Sequence, residues 1–216
     1  MNGPRRAVIF DLDGTLLDTL QDLACSVNYA LEQFGLQHRS VAEIRRFLGN
    51  GVRNLMGLSV PAGLPADQFE RVLETFRAHY LLHCYDHTAP YPGVESVLQA
   101  LKQRGYALAI VSNKVDEAVK VLNQRYFQDL IPVAIGEKEG ILKKPAPDTV
   151  LAALQELGCT RGAAVYVGDS EVDLQTARNC AMACITATWG FRDEAELVAA
   201  GASMLARKPV EILQYV

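Results

Sequence analysis

Ala7-Val8-Ile9-Phe10-Asp11-Leu12-Asp13-Gly14-Thr15-Leu16 is the stretch whose reading decides the fold. An apolar, partly β-branched run stops abruptly at two aspartates spaced i, i+2, followed by glycine and threonine. Such a run predicts a buried strand that carries a carboxylate to its own carboxyl-terminal tip, where glycine lets the chain turn. In open α/β sheets, ligands bind beyond those tips. Two acids there suit Mg2+, a hard cation that prefers oxygen ligands. An aspartate there can also attack phosphorus or an acyl carbon.

The same pattern recurs downstream. Ala107–Val111 runs into Ser112-Asn113, and Ala163–Val167 runs into Gly168-Asp169. From Tyr91-Pro92-Gly93 onward, the spacing predicts an alternation of helices and strands. Helices are expected at 94–104, 117–126, 148–157, 172–180, 193–200 and 210–215, with strands at 106–111, 131–135, 163–167 and 182–187. That alternation implies right-handed crossovers and a doubly wound, mostly parallel α/β sheet of the Rossmann-like kind. In such a sheet the three polar clusters fall on one edge. They predict a single site with at least three carboxylates, a hydroxyl and a lysine. The plainer reading of each acid taken singly is a helix N-cap.

Between residues 18 and 85 the period changes. Leu20, Leu23, Ala24, Val27, Ala30, Leu31 and Phe34 fall on one helical face. Ser40-Val41-Ala42-Glu43 reads as a capping box, with Val41, Ile44, Phe47 and Leu48 as the stripe behind it. Gly49-Asn50-Gly51 breaks that helix, and another begins at Asp67 with Phe69, Val72, Leu73, Phe76 and Tyr80 on one side. No strand is expected between Asp18 and Asp86. The chain therefore reads as an α/β core, residues 1–17 and 86–216, with a helical insert, residues 18–85.

Bulk properties narrow the class. The 216 residues are half apolar and 21% charged, an ordinary globular composition. A net charge of −4 gives no reason to expect nucleic acid or an anionic membrane as partner. No apolar run approaches the ~18 residues of a membrane span, and Asp11 and Asp13 cut short anything like a signal peptide. The cysteines (Cys25, Cys84, Cys159, Cys180 and Cys184) are odd in number, scattered and without a C-x-x-C pair. Reduced thiols in a cytoplasmic protein are expected. No P-loop, no G-x-G-x-x-G after a strand and no G-x-S-x-G elbow is present.

Asp11-x-Asp13-Gly14-Thr15-Leu16 resembles the first motif of the haloacid dehalogenase superfamily, in its phosphatase branch. The superfamily's later motifs match in order at Ser112, Lys144 and Gly168-Asp169 with Asp173, and Lys144-Pro145-Ala146-Pro147 is similar to its Lys-Pro-x-Pro form. The resemblance spans the whole chain and implies that the insert is a cap, hinged near 17–20 and 85–90. It implies a Mg2+-dependent phosphatase of a small phosphate ester. Asp11 would be the nucleophile, giving an aspartyl-phosphate. Asp13 would be general acid and then general base. Ser112, the Asn113 amide and Lys144 would bind phosphate. The metal would take the Asp11 carboxylate, the Asp13 backbone carbonyl and the Asp169 carboxylate, with Thr15 and Asp173 supporting from behind. Asp13 favours phosphoester or phosphoanhydride substrates over organohalides, since halide displacement needs no acid at that position.

The insert would select the leaving group. Gly49-Asn50-Gly51 and Arg53 are the candidate substrate contacts, because glycine lets backbone approach a ligand and arginine can hold a carboxylate bidentately. The plainer alternative is an interhelical turn beside a solvated arginine. Gly-Asn-Gly here, and Thr188-Trp189-Gly190-Phe191 near the end, resemble segments of phosphoglycolate phosphatases, which makes 2-phosphoglycolate the expected substrate. Sugar phosphates, nucleotides, pyrophosphate and a phosphomutase reaction remain rivals, and a binding protein that keeps the fold is a rival of another class. Asp18-Thr19 reads as a helix cap. His79, His83 and His87, spaced by four, are a possible zinc pair or hinge-side histidines. A monomer or homodimer is expected.

Overall fold

The computed structural model describes residues 6–216. Its strands are β1 (Ala7–Phe10), β2 (Leu17–Asp18), β3 (Ala89–Pro90), β4 (Ala107–Val115), β5 (Val133–Glu137), β6 (Ala164–Gly168), β7 (Ala183–Ala187) and β8 (Met204–Ala206). Its helices are α1 (Leu20–Gln33), α2 (Val41–Phe47), α3 (Val52–Ser59), α4 (Ala66–His83), α5 (Val94–Gln103), α6 (Asp116–Tyr126), α7 (Asp148–Leu157), α8 (Glu171–Asn179) and α9 (Glu194–Ala199). The chain divides into two compact units, one formed by Met1–Asp18 with Pro90–Val216 and the other by Thr19–Ala89.

In the first unit, six strands pair in the order β5-β4-β1-β6-β7-β8, all parallel. Parallel sheets are covered on both faces, which is why β1 is buried at every position and β4 at all but its last. Ile9, Ala109, Val133, Ile135 and Tyr166 from the sheet pack with Val150, Ala153, Leu154 and Leu157 from α7. The chain builds outward from β1 through β4 to β5, then crosses back to place β6 on the other side of β1. The order reverses at β1, and doubly wound sheets open their ligand crevice at such a reversal. Register sets Phe10 beside Ile110 and Val167, so Asp11, Ser112 and Asp169 emerge at neighbouring levels of that edge.

In the second unit, α1 packs on α4, and α2 and α3 complete the bundle. Leu23, Ala24, Val27, Ala30 and Leu31 bury the face of α1 that the helical spacing marks out. The Ser40–Glu43 capping box is present in both directions at the start of α2. Val41, placed in the apolar stripe by spacing alone, is 41% exposed. It is the first residue of α2, where the short helix leaves one side unpacked.

Several boundaries differ from the sequence expectations. The last helix is a 3-10 turn over Pro209–Gln214, the form that short pieces adopt. β8 was not expected, because three residues carry no readable period. β4 continues through Ser112 to Val115 with irregular pairing to β5 after Val111, so the polar cluster lies within the strand rather than after it. α3 begins directly after Gly51. Among the described residues, no helix is long and apolar enough to cross a membrane.

Candidate active site

The tip of β1 is held down before any chemistry begins. The Asp11 N–H donates to the Val167 carbonyl at 2.8 Å, and the Leu12 N–H donates to Asp11 Oδ1 at 2.7 Å. Lys144 reaches this tip from the loop before α7. Its ammonium lies 2.9 Å from Asp11 Oδ1, 2.8 Å from Asp173 Oδ1 and 3.1 Å from Tyr166 Oη. An ammonium has three N–H donors, and here each faces one acceptor. Asp173 occupies the third position of α8, where its other oxygen accepts from the Ser170 N–H and hydroxyl in a reciprocal cap. Its Oδ1 also accepts from Tyr166 Oη at 3.0 Å. Asp169 lies just before that helix, with Oδ1 on the Thr15 hydroxyl at 2.9 Å and Oδ2 on the Phe191 N–H at 2.8 Å.

Asp11, Asp169 and Asp173 each offer a carboxylate oxygen within 4.8 Å of the others, and all are buried. Burial first, and then the neighbouring Asp173 charge, push the Asp11 carboxyl well above its ordinary value; Lys144 works against them. The same two causes lift Asp169 to about 7, against the donors of Phe191 and Thr15. Burial alone would lower the Lys144 ammonium, but the Asp11 and Asp173 charges overcome it and hold its pKa above the usual value. Three buried carboxyl groups face one ammonium, so acidic groups outnumber the positive charge beside them. An acidic, all-oxygen donor set fits a hard divalent cation such as Mg2+.

The structure brings Asp11, Thr15, Ser112, Lys144, Asp169 and Asp173 together around the β1, β4 and β6 tips, all buried. Asp13 is near them but outside the carboxylate trio. Its Oδ1 pairs with the buried Lys114 ammonium at 2.7 Å. Asn113 turns its side-chain N–H to the Lys144 carbonyl at 3.0 Å, so that group supports the lysine loop. Ser112 Oγ accepts from the Lys114 N–H at 3.2 Å.

In the second unit, Gly49 and Gly51 adopt φ of 112° and 83°, backbone that strongly favours glycine, on either side of exposed Asn50. Arg53 follows on α3. Both of its terminal nitrogens already hold a carboxylate, that of Glu70, at 2.7 and 2.8 Å. A second carboxylate taken on that edge of the guanidinium would displace Glu70. The histidines form no row of three. His79 stacks between Tyr29 and His83, His83 pairs with Asp86, and His87 lies beyond the end of α4 with its ring on Asp22. Among the described residues they make no three-ligand group.

Sequence reasoning assigned no role to Lys114 or Tyr166. Lys114 stands two residues after Ser112, and the strand period of two puts both on one face. Tyr166 sits inside an apolar run, where a buried phenol needs a polar partner. Burial and the neighbouring Asp173 charge push that phenol well above its ordinary pKa, so it remains a donor.

Comparison with known proteins agrees with this geometry. The family model of haloacid dehalogenase-like hydrolases matches residues 8–187. A phosphoglycolate phosphatase of Aquifex aeolicus is 36% identical over 191 residues, 86% of each chain. One from Xanthomonas campestris is 35% identical over 188 residues, 87% of this chain and 85% of its own. A crystal structure from Lactobacillus delbrueckii subsp. bulgaricus, described as that of a candidate phosphoglycolate phosphatase, superposes with a TM-score of 0.92. It is 38% identical and covers 99% of this chain and 98% of its own. The chain belongs to the haloacid dehalogenase-like hydrolases, and within them it is similar to the phosphoglycolate phosphatases.

Proposed function

We propose that this hydrolase is a Mg2+-dependent phosphomonoesterase that cleaves 2-phosphoglycolate through an aspartyl-phosphate. The observation that carries the reading is the Lys144 ammonium set between Asp11 and Asp173, with Asp169 close enough to share a cation with them. The phosphoglycolate phosphatases among its relatives support the choice of substrate.

Asp11, the Asp13 backbone carbonyl and Asp169 would hold Mg2+, which when bound neutralises phosphate charge and keeps the carboxylates ionised. Asp11 supplies the carboxylate oxygen that attacks phosphorus, and its P–O bond forms as the ester P–O bond breaks. Asp13, in its protonated form, donates to the departing alkoxide. Water then attacks the same phosphorus, Asp13 takes its proton, and the acyl-phosphate P–O bond breaks to return Asp11 and release phosphate. Ser112 would hold a phosphoryl oxygen through both steps, while Lys144, whose three donors face Asp11, Asp173 and Tyr166, would supply positive charge beside the phosphoryl group. Lys114, paired with Asp13, fixes the direction in which that carboxylate points between turnovers.

Arg53 is the candidate for the glycolate carboxylate, exchanging Glu70 for it. That exchange is isoelectric and keeps the bidentate geometry.

The test is phosphate release from 2-phosphoglycolate with and without Mg2+, beside sugar phosphates, nucleotides and pyrophosphate. Metal-dependent preference for 2-phosphoglycolate is expected. Asp11→Asn should abolish turnover while leaving the circular dichroism spectrum unchanged. Arg53→Ala should raise KM for 2-phosphoglycolate about tenfold, the scale of one lost charge-assisted contact, with little effect on 4-nitrophenyl phosphate. Preference for another ester would discard the substrate assignment and keep the chemistry. Turnover by Asp11→Asn would discard the nucleophile.

A further inference from the structure

We infer that Trp189 is a positioning residue for the divalent cation, acting through the Thr15 peptide on the Asp169 carboxylate. The inference rests on the proposal above that Asp169 is a metal ligand. The indole N–H of Trp189 donates to the Thr15 carbonyl at 3.0 Å. The hydroxyl of the same Thr15 donates to Asp169 Oδ1 at 2.9 Å. Two residues past the indole, the Phe191 N–H donates to Asp169 Oδ2 at 2.8 Å. Each oxygen of Asp169 therefore carries one fixed donor, and both donors belong to or are tied to the segment 188–192. What remains of each oxygen's lone-pair capacity has a set direction.

Packing makes the arrangement tight. Gly190 lies between the two contacts, and a Cβ there would sit 2.3 Å from Asp169 Oδ2 and 2.4 Å from the Gly14 carbonyl oxygen. A Cβ on Gly14 would itself lie 2.3 Å from Asp169 Oδ2. Backbone thus closes on the carboxylate from both sides. The far end of the segment is fastened too, because Arg192 Nε donates to Glu171 at 2.9 Å, and Glu171 follows Asp169 by two residues. The indole ring is partly buried and lines a small apolar cleft with Leu16 and Pro209, but packing alone would not need a donor at this position. The donor falls on the carbonyl of the residue whose hydroxyl holds Asp169 Oδ1. Groups that orient a metal ligand in this way typically change metal affinity by about tenfold or more when removed.

Trp189 is the sole tryptophan of the chain, so it can be replaced globally during expression. Full-length protein carrying 3-benzothienylalanine keeps the ring shape and puts sulfur where the N–H was. Trp189→Phe is the genetic counterpart. Mg2+ binding would be measured directly by titration calorimetry, and Mn2+ binding by electron paramagnetic resonance. Tm in chelator and KM at saturating Mg2+ would be measured beside them. Both replacements should weaken cation binding about tenfold and leave KM at saturating metal unchanged. The benzothienyl protein should also keep the wild-type Tm in chelator. Wild-type affinity in the benzothienyl protein would overturn the inference, and a lowered Tm with unaltered affinity would assign the ring to packing alone. Asp169→Asn separates the two levels. If it leaves Mg2+ binding intact in otherwise wild-type protein, the metal-ligand reading falls, and the inference falls with it.

Discussion

Asp169 gives the site its pH signature. Its carboxyl is held at about 7 instead of 3.8, by burial and by Asp173. Over the interval between those values the metal-free folded protein keeps this group protonated, and a proton then competes with the cation for the same oxygen. The sign is fixed by that competition. Mg2+ affinity should rise with pH through about 7, and the Asp11 carboxyl, raised as well, adds a second proton for the cation to displace. Titration calorimetry between pH 5.5 and 8.5 measures this, and a flat profile would remove Asp169 from the ligands. This residue was legible in the sequence because a glycine and an acid ended an apolar run. Lys114 was less so, because two lysines compete for the site's positive charge and spacing does not say which meets which acid. The structure places Lys144 against Asp11 and Asp173, and Lys114 against Asp13. Arg53 was legible as a candidate, but its partner Glu70 lies 17 residues away on another helix, beyond any local period.

At the scale of elements, Asp22 shows what amphipathic spacing misses. It lies on the first turn of α1 among apolar neighbours and is only 1% exposed. Its two oxygens accept from the His87 N–H, the His87 ring and the Thr88 N–H at 2.7–3.0 Å, fixing the segment after α4 to the start of α1. Burial works to raise its pKa, but the donors of Thr88 and His87 outweigh burial and hold it below the ordinary value. A carboxylate with a lowered folded pKa stabilises above its unfolded value and loses that contribution as the pH falls through the folded one. Asp22→Ala leaves those donors without their acceptor and should cost about 2 kcal/mol at neutral pH, read from urea denaturation. The difference from wild type should shrink on acidification below about pH 4. A loss that is the same at pH 3 and pH 7 would rule out the charge as its source. The α/β alternation was readable because buried strands and amphipathic helices have different periods. β8 and the 3-10 turn over Pro209–Gln214 were not, because neither is long enough to show a period of its own.

At the scale of the whole molecule, the proposed chemistry and the proposed selection of substrate fall in different units. Asp11, Asp13, Lys114, Lys144, Tyr166, Asp169, Asp173 and Trp189 all belong to the first unit, as does every residue of the cluster buried against its sheet. The second unit has its own buried residues, among them Leu31, Ile44, Met56, Leu73 and Phe76. A unit with its own core can fold alone. The chain leaves the first unit after β2 and returns through β3, and these two strands pair with each other. Paired strands lie about 5 Å apart, so a short Gly-Ser linker can replace residues 19–88 and keep both strands. The shortened protein should fold with a cooperative transition and bind Mg2+ as the intact protein does. It should also hydrolyse 4-nitrophenyl phosphate, whose leaving group needs neither a proton donor nor recognition. Its preference for 2-phosphoglycolate over other esters should vanish, because Gly49, Asn50, Gly51 and Arg53 have gone with the second unit. A folded, metal-binding protein that kept the preference would place specificity in the sheet edge itself and leave the glycine-flanked turn as a connection between α2 and α3.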